Sequence, residues 1–257
     1  MKGSELYCYR SRLDHVTRER LLSRHRTFPD TAGPQLRVGV TPSIFYAPDF
    51  VSESQEKVIF SKLYSDTSRP KASDAADATE WVTLRSRRLQ CWGGQPGEDF
   101  KPEPLPSWIN SLCDALVARG VFSAAERPNH VLVNEYQPGQ GIMPHTDGPF
   151  YAARTATLSL ISDAIMHFSP RLTVDEIGKP GVESRPQSSV VLRARSLVVF
   201  ADEAYSRLLH GIEAVGEEVV GVGYGVPVVN LDAAGAQEGD LIRRRLRVSL
   251  TFRRVTR

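Results

Sequence analysis

Two side chains that bind metals, an imidazole at His145 and a carboxylate at Asp147, stand two positions apart in the middle of this 257-residue chain. They follow a strand-like run and a glycine-containing turn within residues 134–148. In a strand, residues two apart project from the same face, so the two groups can converge on one point. Two histidines and one carboxylate around one point make the facial triad of non-haem iron(II) oxygenases. The pair therefore predicts an iron site if a later segment supplies a third ligand.

The third ligand has two candidates, His167 and His210, because the remaining histidines lie in the N-terminal region or before the strand that leads to His145. His210 precedes Gly211, which would let a metal or substrate approach the backbone closely. His167 stands in an apolar run, where a core or sheet-face histidine is the common interpretation. Spacing alone leaves both candidates open.

The last strand-like segment alternates polar and apolar side chains, and its polar residues all face one way: Arg247, Ser249, Thr251 and Arg253. Arginines that face a cavity require anions, and a guanidinium pairs bidentately with a carboxylate. A dicarboxylic cosubstrate would satisfy two arginines at once. The alternative is an amphipathic edge strand whose arginines face water.

The elements that must position these residues fall into two groups along the chain. Two helices come first, one predicted over 53–64 from a capping box at 52–55, and one that follows Pro106 and ends near Gly120. Their predicted apolar stripes are Val58, Ile59 and Leu63, and Trp108, Leu112 and Leu116. Short strand-like runs follow at about 131–136, 157–161, 164–168, 189–194, 196–200 and 246–255. Helices followed by strands predict an α+β fold whose β part closes as a sandwich or jelly roll.

Composition indicates one globular domain preceded by an arm. Hydrophobic residues make up 41% and charged residues 24% of the chain, and a net charge of +2 neither requires nor excludes a polyanionic partner. Three cysteines are too few and too scattered for a disulfide framework, and no apolar run is long enough to span a bilayer. We therefore expect a soluble intracellular protein without a membrane partner.

Three segments stand apart from these elements. Residues 1–40 form a basic arm, whose acidic residues argue against a mitochondrial transit peptide. A solvated helix over about 11–25 is favoured there, and an arm that contacts phosphates is the alternative. Residues 170–188 and 215–239 are rich in Gly, Pro and acids, which favours solvated excursions over lids.

Together these motifs resemble the AlkB family of iron(II)- and 2-oxoglutarate-dependent dioxygenases. In that family Asn-x-Tyr precedes His-x-Asp at the spacing seen from Asn134 and Tyr136 to His145 and Asp147, and a distal histidine follows, as His210 does. The family's terminal Arg-x-Asn-x-Thr-x-Arg is Arg-x-Ser-x-Thr-x-Arg here. The resemblance covers about residues 43–255, inside a predicted domain at 41–257, and is greatest to the sixth eukaryotic AlkB subgroup.

The resemblance implies a double-stranded β-helix, or jelly roll, with N-terminal flanking helices and a metal between its two sheets. It implies that His145, Asp147 and His210 bind Fe(II). The implied contacts of 2-oxoglutarate are Asn134, Tyr136, Arg247, Ser249 and Arg253, with Arg247 on the distal carboxylate. Three protein ligands leave three octahedral positions, two for 2-oxoglutarate and one for O2. The implied reaction couples decarboxylation of 2-oxoglutarate to hydroxylation of an N-alkyl carbon, and the hydroxylated product then loses an aldehyde.

Substrate recognition rests on fewer residues. The nucleotide-recognition lid of the family falls on Arg85, Arg87, Arg88 and Trp92, and basic and aromatic side chains suit a flipped or single-stranded base. Pro149 stands where several base-repairing members carry an acidic residue. The leading hypothesis is a monomeric enzyme of the nucleus and cytoplasm that demethylates alkylated bases in RNA or DNA. The alternatives are the same chemistry on a protein or small molecule, and a nucleic-acid-binding protein with a weak or vestigial site.

Overall fold

The computed structural model describes residues 43–64, 80–177, 179 and 183–256. Within these residues the chain forms two helices of 12 residues, α1 (Glu53–Tyr64) and α2 (Ser107–Ala118), and two short ones, α3 (Asp202–Arg207) and α4 (Leu231–Ala234). None of the described helices is long and apolar enough to cross a membrane. The predicted arm at 1–40 lies outside the described residues.

Thirteen strands are formed by the described part of the chain. They are β1 (Ile44–Ala47), β2 (Val82–Thr83), β3 (Arg88–Trp92), β4 (His130–Tyr136), β5 (Ile142–His145), β6 (Tyr151–Leu160), β7 (Ala164–Pro170), β8 (Ser188–Leu192), β9 (Leu197–Ala201), β10 (Leu208–Ile212), β11 (Glu217–Val219), β12 (Leu241–Arg243) and β13 (Arg247–Val255). Seven form an antiparallel sheet in the order β1-β9-β6-β13-β4-β3-β2, and four form a second in the order β5-β10-β7-β8. β11 and β12 pair as a separate two-stranded ribbon.

Two apolar cores hold these layers together. The first lies between the seven-stranded sheet and the helices α1 and α2, and β13 contributes Val248, Leu250 and Phe252 to it. The second lies between the two sheets and includes Phe168 of β7 and Phe200 of β9, whose rings meet edge to face. Two facing antiparallel sheets with helices on the outside of the larger one form the predicted jelly roll with N-terminal flanking helices.

The last strand, β13, lies in the centre of its sheet, between β6 and β4. Its arginines Arg247 and Arg253 are only 2% and 4% exposed. The alternative of an edge strand with arginines in water is therefore wrong. The polar face of β13 instead lines the space between the two sheets.

The predicted core faces of both helices are partly wrong. In α1 the residues that face the core are Glu56, Ile59 and Leu63, while Val58 is 56% exposed. Glu56 is buried because its carboxylate accepts the backbone N–H of Ile161 over 2.8 Å.

In α2 the fully buried residues are Ile109, Cys113 and Leu116, and the predicted Trp108 and Leu112 only flank them. A strict four-residue spacing rotates by about 40° per step around a helix of 3.6 residues per turn, so it drifts off a single face.

The sequence does not predict the short strands β5 and β10. Pro144 and Gly211 lie inside them, and both residue types are unusual within strands. The predicted excursion at 215–239 is also wrong as a solvated segment, because it contains β11 and α4 and buries Val220 completely.

Candidate metal and cosubstrate site

The two histidines of the predicted iron site lie on neighbouring strands of the four-stranded sheet. β5 and β10 are antiparallel, with His145 directly opposite His210. Their ring centroids are 4.3 Å apart. Ligand atoms of His145, Asp147 and His210 all lie within 4.8 Å of one another. The three side chains therefore surround one point, as a facial triad requires.

The close approach of β5 to β10 depends on two glycines. A Cβ atom at Gly211 would lie 2.9 Å from the Pro144 nitrogen, and one at Gly141 would lie 2.3 Å from the Ile212 carbonyl oxygen. Either contact would force the strands apart. Gly211 is predicted from the sequence to admit a metal or substrate, but in the structure it admits the neighbouring backbone instead.

Asp147 lies beyond the end of β5, so strand alternation does not place it. The larger sheet does: Arg253 donates from Nη1 to Oδ1 over 2.8 Å, and the Thr155 hydroxyl donates to Oδ2. The Asp147 side chain is only 5% exposed. Burial raises the pKa of this carboxyl, but the charge of Arg253, helped by the Thr155 hydrogen bond, lowers it, and the pKa lies at about 2. Asp147 is therefore a fixed carboxylate beside both imidazoles.

Each imidazole is arranged as a neutral ligand. His145 Nδ1 lies 2.9 Å from the Met143 carbonyl oxygen, which can only accept, so Nδ1 donates and Nε2 keeps its lone pair. Burial lowers the pKa of His145. Burial, together with the electrostatic effect of the neighbouring His145, also lowers the pKa of His210, to about 3. Two neutral imidazoles and a carboxylate are the donor set of non-haem Fe(II), so these residues fit that metal.

His167 belongs to a different environment. Its Nδ1 lies 2.8 Å from the Ser189 hydroxyl, and its ring meets that of Tyr224 edge to face at 5.0 Å. In β7 it adjoins Phe168, which pairs with His210, so strand alternation turns His167 to the opposite face. Of the two candidates left open by spacing, His210 is the one that the fold brings to His145 and Asp147.

The inner face of the seven-stranded sheet is polar and reaches Asp147 through Thr155 and Arg253, and we call the space over this face the polar pocket. Polar side chains of β4, β6 and β13 line it: Asn134, Tyr136, Thr155, Thr157, Ser159, Arg247, Ser249, Thr251 and Arg253. The register places Arg247 opposite Tyr136 and Ser249 opposite Asn134. The β6 residues were not predicted from the sequence, although the second half of β6 alternates polar and apolar residues as β13 does.

Arg247 is buried in this pocket without an anionic partner. Its Nη2 donates to the Ser159 hydroxyl over 2.8 Å, and Tyr136 presents its ring 5.6 Å from the guanidinium carbon. Its Nε has no hydrogen-bond partner among the described residues, and no described carboxylate forms a salt bridge with it. Burial lowers the pKa of Arg247 to about 10, so it remains charged at neutral pH. The pocket therefore fits a ligand that carries a carboxylate.

Arg253 occupies the part of the pocket next to the triad. Besides its bond to Asp147, its guanidinium carbon lies 4.2 Å from the centre of the Tyr151 ring. This cation–π contact and the ion pair fix the arginine from both sides. Tyr151 was missed in the sequence analysis because it lies in a poorly patterned segment at the start of β6.

Two of the four predicted substrate contacts face the helix layer instead. Arg88 forms a bidentate ion pair with the buried Glu135, with both contacts at 2.7 Å. Trp92 is 4% exposed and packs edge to face against Trp108. The prediction of Trp92 as a substrate contact is wrong because its ring is part of the core, and the guanidinium of Arg88 is already committed to Glu135.

The other two predicted contacts lie at the turn between β2 and β3. Arg85 is exposed. Arg87 is half-buried and donates from Nε to the Asn134 side-chain oxygen over 2.9 Å. Arg87 therefore reaches the polar pocket, and Arg85 remains on the surface beside it.

Comparison with known proteins identifies a family and several similar proteins. The family described as the 2OG-Fe(II) oxygenase superfamily matches residues 46–253. A Danio rerio protein named "Probable RNA/DNA demethylase ALKBH6" is 38% identical over 216 residues, which cover 83% of this chain and 86% of that protein. The Xenopus tropicalis "tRNA (carboxymethyluridine(34)-5-O)-methyltransferase alkbh8" is 29% identical over 86% of this chain and 33% of its own length. The solved structure of OsALKBH1 matches with a TM-score of 0.46 and 17% identity, over 84% of this chain and all (100%) of that one.

Proposed function

Because the chain belongs to the AlkB family within the 2OG-Fe(II) oxygenase superfamily, we propose that it removes N-alkyl groups oxidatively from bases in RNA or DNA. The observation that carries the proposal is that a triad of metal ligands and a buried arginine without a described anion, Arg247, both face the space between the two sheets. Fe(II), 2-oxoglutarate and O2 are the cofactor and cosubstrates of this family.

In the proposed enzyme, His145, Asp147 and His210 hold Fe(II). When bound, iron would use O2 to oxidise 2-oxoglutarate to succinate and CO2 and, in the same turnover, to hydroxylate an N-alkyl carbon of the substrate. Arg247 binds the distal carboxylate of 2-oxoglutarate, because it is buried and forms no salt bridge with a described carboxylate, and its Nε has no hydrogen-bond partner among the described residues. Arg253 keeps Asp147 ionised and oriented through its 2.8 Å bond. Such a contact behind a metal ligand sets both metal affinity and ligand geometry.

The remaining predicted contacts complete the cosubstrate pocket. Asn134 of β4 and Ser249 of β13 face each other, and they are the next pair to Tyr136 and Arg247 on the same side of the sheet. Their amide and hydroxyl groups can donate hydrogen bonds to carboxylate or keto oxygens. Ser249 is shorter than the asparagine of the family motif, so it leaves more room around Asn134.

A nucleic-acid substrate is supported by the name of the Danio rerio relative and by the exposed Arg85 at the β2–β3 turn. Base repair on a flipped or single-stranded nucleotide uses such basic groups near the pocket. We further propose that the protein acts as a monomer in the nucleus and cytoplasm. One observation favours a different substrate, a protein or small molecule: Pro149, exposed two residues after Asp147, cannot recognise a base as an acidic residue would.

The decisive experiment is mass spectrometry of modified nucleosides after the purified protein is incubated with Fe(II), 2-oxoglutarate and cellular RNA and DNA. We expect selective loss of one or more N-alkylated nucleosides together with succinate formation. His145→Ala should abolish both, whereas the matched variant His167→Ala, which lies outside the triad, should retain them.

Other results would redirect or overturn the proposal. Succinate formation without loss of any nucleoside would favour the protein or small-molecule alternative. Absence of both products from the wild-type protein would support a nucleic-acid-binding protein with a vestigial site. Undiminished turnover in His145→Ala would contradict the assigned metal site.

A further inference from the structure

We propose that Arg87 is a positioning residue for 2-oxoglutarate, which fixes the side-chain amide of Asn134 so that its NH2 group faces the cosubstrate. The turn between β2 and β3 then becomes part of the cosubstrate site. This inference rests on the proposed role of Asn134 and adds a residue that the family motif does not include.

The backbone gives Arg87 its direction. Leu84 donates its N–H to the Arg87 carbonyl over 2.8 Å, so a tight two-residue turn joins β2 to β3. Leu89 of β3 stands opposite Asn134 of β4. Arg87 is two residues before Leu89 and so projects from the same, inner face, while Arg88 projects toward the helices.

The hydrogen bond of Arg87 determines how the Asn134 amide is oriented. The Arg87 Nε atom carries only a hydrogen to donate, so its partner 2.9 Å away must be the amide oxygen of Asn134. The Asn134 NH2 group is then left to donate within the pocket. Asn134 is only 5% exposed, so water cannot freely replace this partner. Without Arg87, the amide could flip and present its oxygen to an anionic ligand, which would repel it.

The lack of a described carboxylate beside Arg87 supports the same assignment, because its Nε–H stays available to the Asn134 amide. Among the described residues, Arg88 pairs with Glu135 and Arg253 with Asp147, but no carboxylate forms a salt bridge with Arg87. Arg87 therefore joins Arg247 as a second cation at this pocket without an anionic partner. Burial raises the pKa of Tyr136, and the charges of Arg247 and Arg87 oppose that rise, so both guanidiniums act on the same part of the pocket.

The test is binding of 2-oxoglutarate to the Mn(II)-loaded protein, measured by titration calorimetry without any nucleic acid. Arg87→Ala should weaken binding by about tenfold, as expected for loss of one hydrogen bond in a buried site. Asn134→Ala should weaken it at least as much. The double variant Arg87→Ala/Asn134→Ala should be no worse than Asn134→Ala, because Arg87 acts through Asn134. Val82→Ala, in the same hairpin but with a half-exposed side chain to which no role is assigned, is the matched control and should bind as the wild type does.

Three outcomes would overturn the inference: unchanged affinity in Arg87→Ala, additive losses in the double variant, or full recovery in Arg87→Lys, which keeps the charge but not the fixed Nε–H. Thermal melting of each variant identifies any loss caused by unfolding, and Arg87→Gln then replaces a variant that unfolds. If the wild-type protein itself fails to bind 2-oxoglutarate, the proposed function fails instead, so the two failures are distinguishable.

Discussion

Arg247 and Arg253 are both buried on the same strand, but only Arg253 has a described carboxylate beside it. A buried charge without a partner costs several kcal/mol, because desolvation is not offset by an ion pair. Arg247 has one neutral hydrogen bond, to Ser159, and a ring contact with Tyr136. The unliganded protein therefore carries an unfavourable group at a place where a ligand carboxylate would make it favourable.

Replacement of Arg247 by methionine separates ligand binding from stability. Arg247→Met should lower the affinity for 2-oxoglutarate by at least about 30-fold, because a desolvated charge pair is lost. In the absence of ligand its melting temperature should be equal to or above that of the wild type, because an unpaired buried charge is removed. Calorimetric titration and thermal melting check the two effects. Arg254→Met, on the other face of the same strand, is the control for affinity. Unchanged 2-oxoglutarate binding in Arg247→Met would refute the assignment of the distal carboxylate.

Single residues differ in how far sequence predicts them. His145 and Asp147 are predicted from residue type and spacing, whereas spacing leaves His210 and His167 open, and His210 is distinguished by the family resemblance and by its pairing with His145. Residue type and motif do not tell which of Arg87 and Arg88 faces the polar pocket. Their roles depend on which face of β3 is inward, and only the pairing of Leu89 with Asn134 fixes that. The prediction of Trp92 as a substrate contact was wrong for the same reason, since strand alternation places Trp92 on the helix side of β3 together with Arg88.

At the scale of elements, the site is a junction of short strands that sequence patterns do not reveal. The bounds of α1 are predicted correctly, because a capping box and a polar loop mark its ends. β5 and β10 are too short for a pattern, and their Pro144 and Gly211 oppose a strand prediction. Gly211 shows why the sequence of β10 departs from a typical strand pattern. Because glycine has no Cβ, the backbones of β5 and β10 can approach closely enough for His145 and His210 to face each other.

Gly211→Ala tests this requirement. The new Cβ would lie 2.9 Å from the Pro144 nitrogen and 3.1 Å from the Ile142 carbonyl oxygen, both backbone atoms that cannot move aside independently. β5 must therefore shift away from β10 and carry His145 with it. We expect the affinity for Mn(II) to fall by about 10- to 100-fold, the range observed when groups that orient metal ligands are lost.

The matched control is Gly216→Ala, whose Cβ would meet no atom within 4 Å. It should bind Mn(II) as tightly as the wild type. Normal metal affinity in Gly211→Ala, with the protein still folded, would show that the spacing of β5 and β10 does not limit the geometry of the site.

At the scale of the whole molecule, the site connects the two sheets. Both histidines belong to the four-stranded sheet, whereas Asp147 is held by Arg253 and Thr155 of the seven-stranded sheet. The second apolar core already joins the sheets through residues such as Phe168 and Phe200. A metal bound by all three ligands would add a second connection between the sheets, at the polar part of the interface.

Ligand binding should consequently stabilise the fold as a unit. Ligand at 100 times its dissociation constant adds about 2.7 kcal/mol to the free energy of unfolding. For a domain of this size such a gain raises the melting temperature by roughly 5–10 °C. We expect Mn(II) alone to raise the melting temperature of the wild type and 2-oxoglutarate to raise it further. His210→Ala should lose the effect of the metal, His167→Ala should retain both effects, and Arg247→Met should retain only that of the metal. If His210→Ala were stabilised by Mn(II) as much as the wild type, the metal would bind elsewhere, and the connection between the sheets would have to be abandoned.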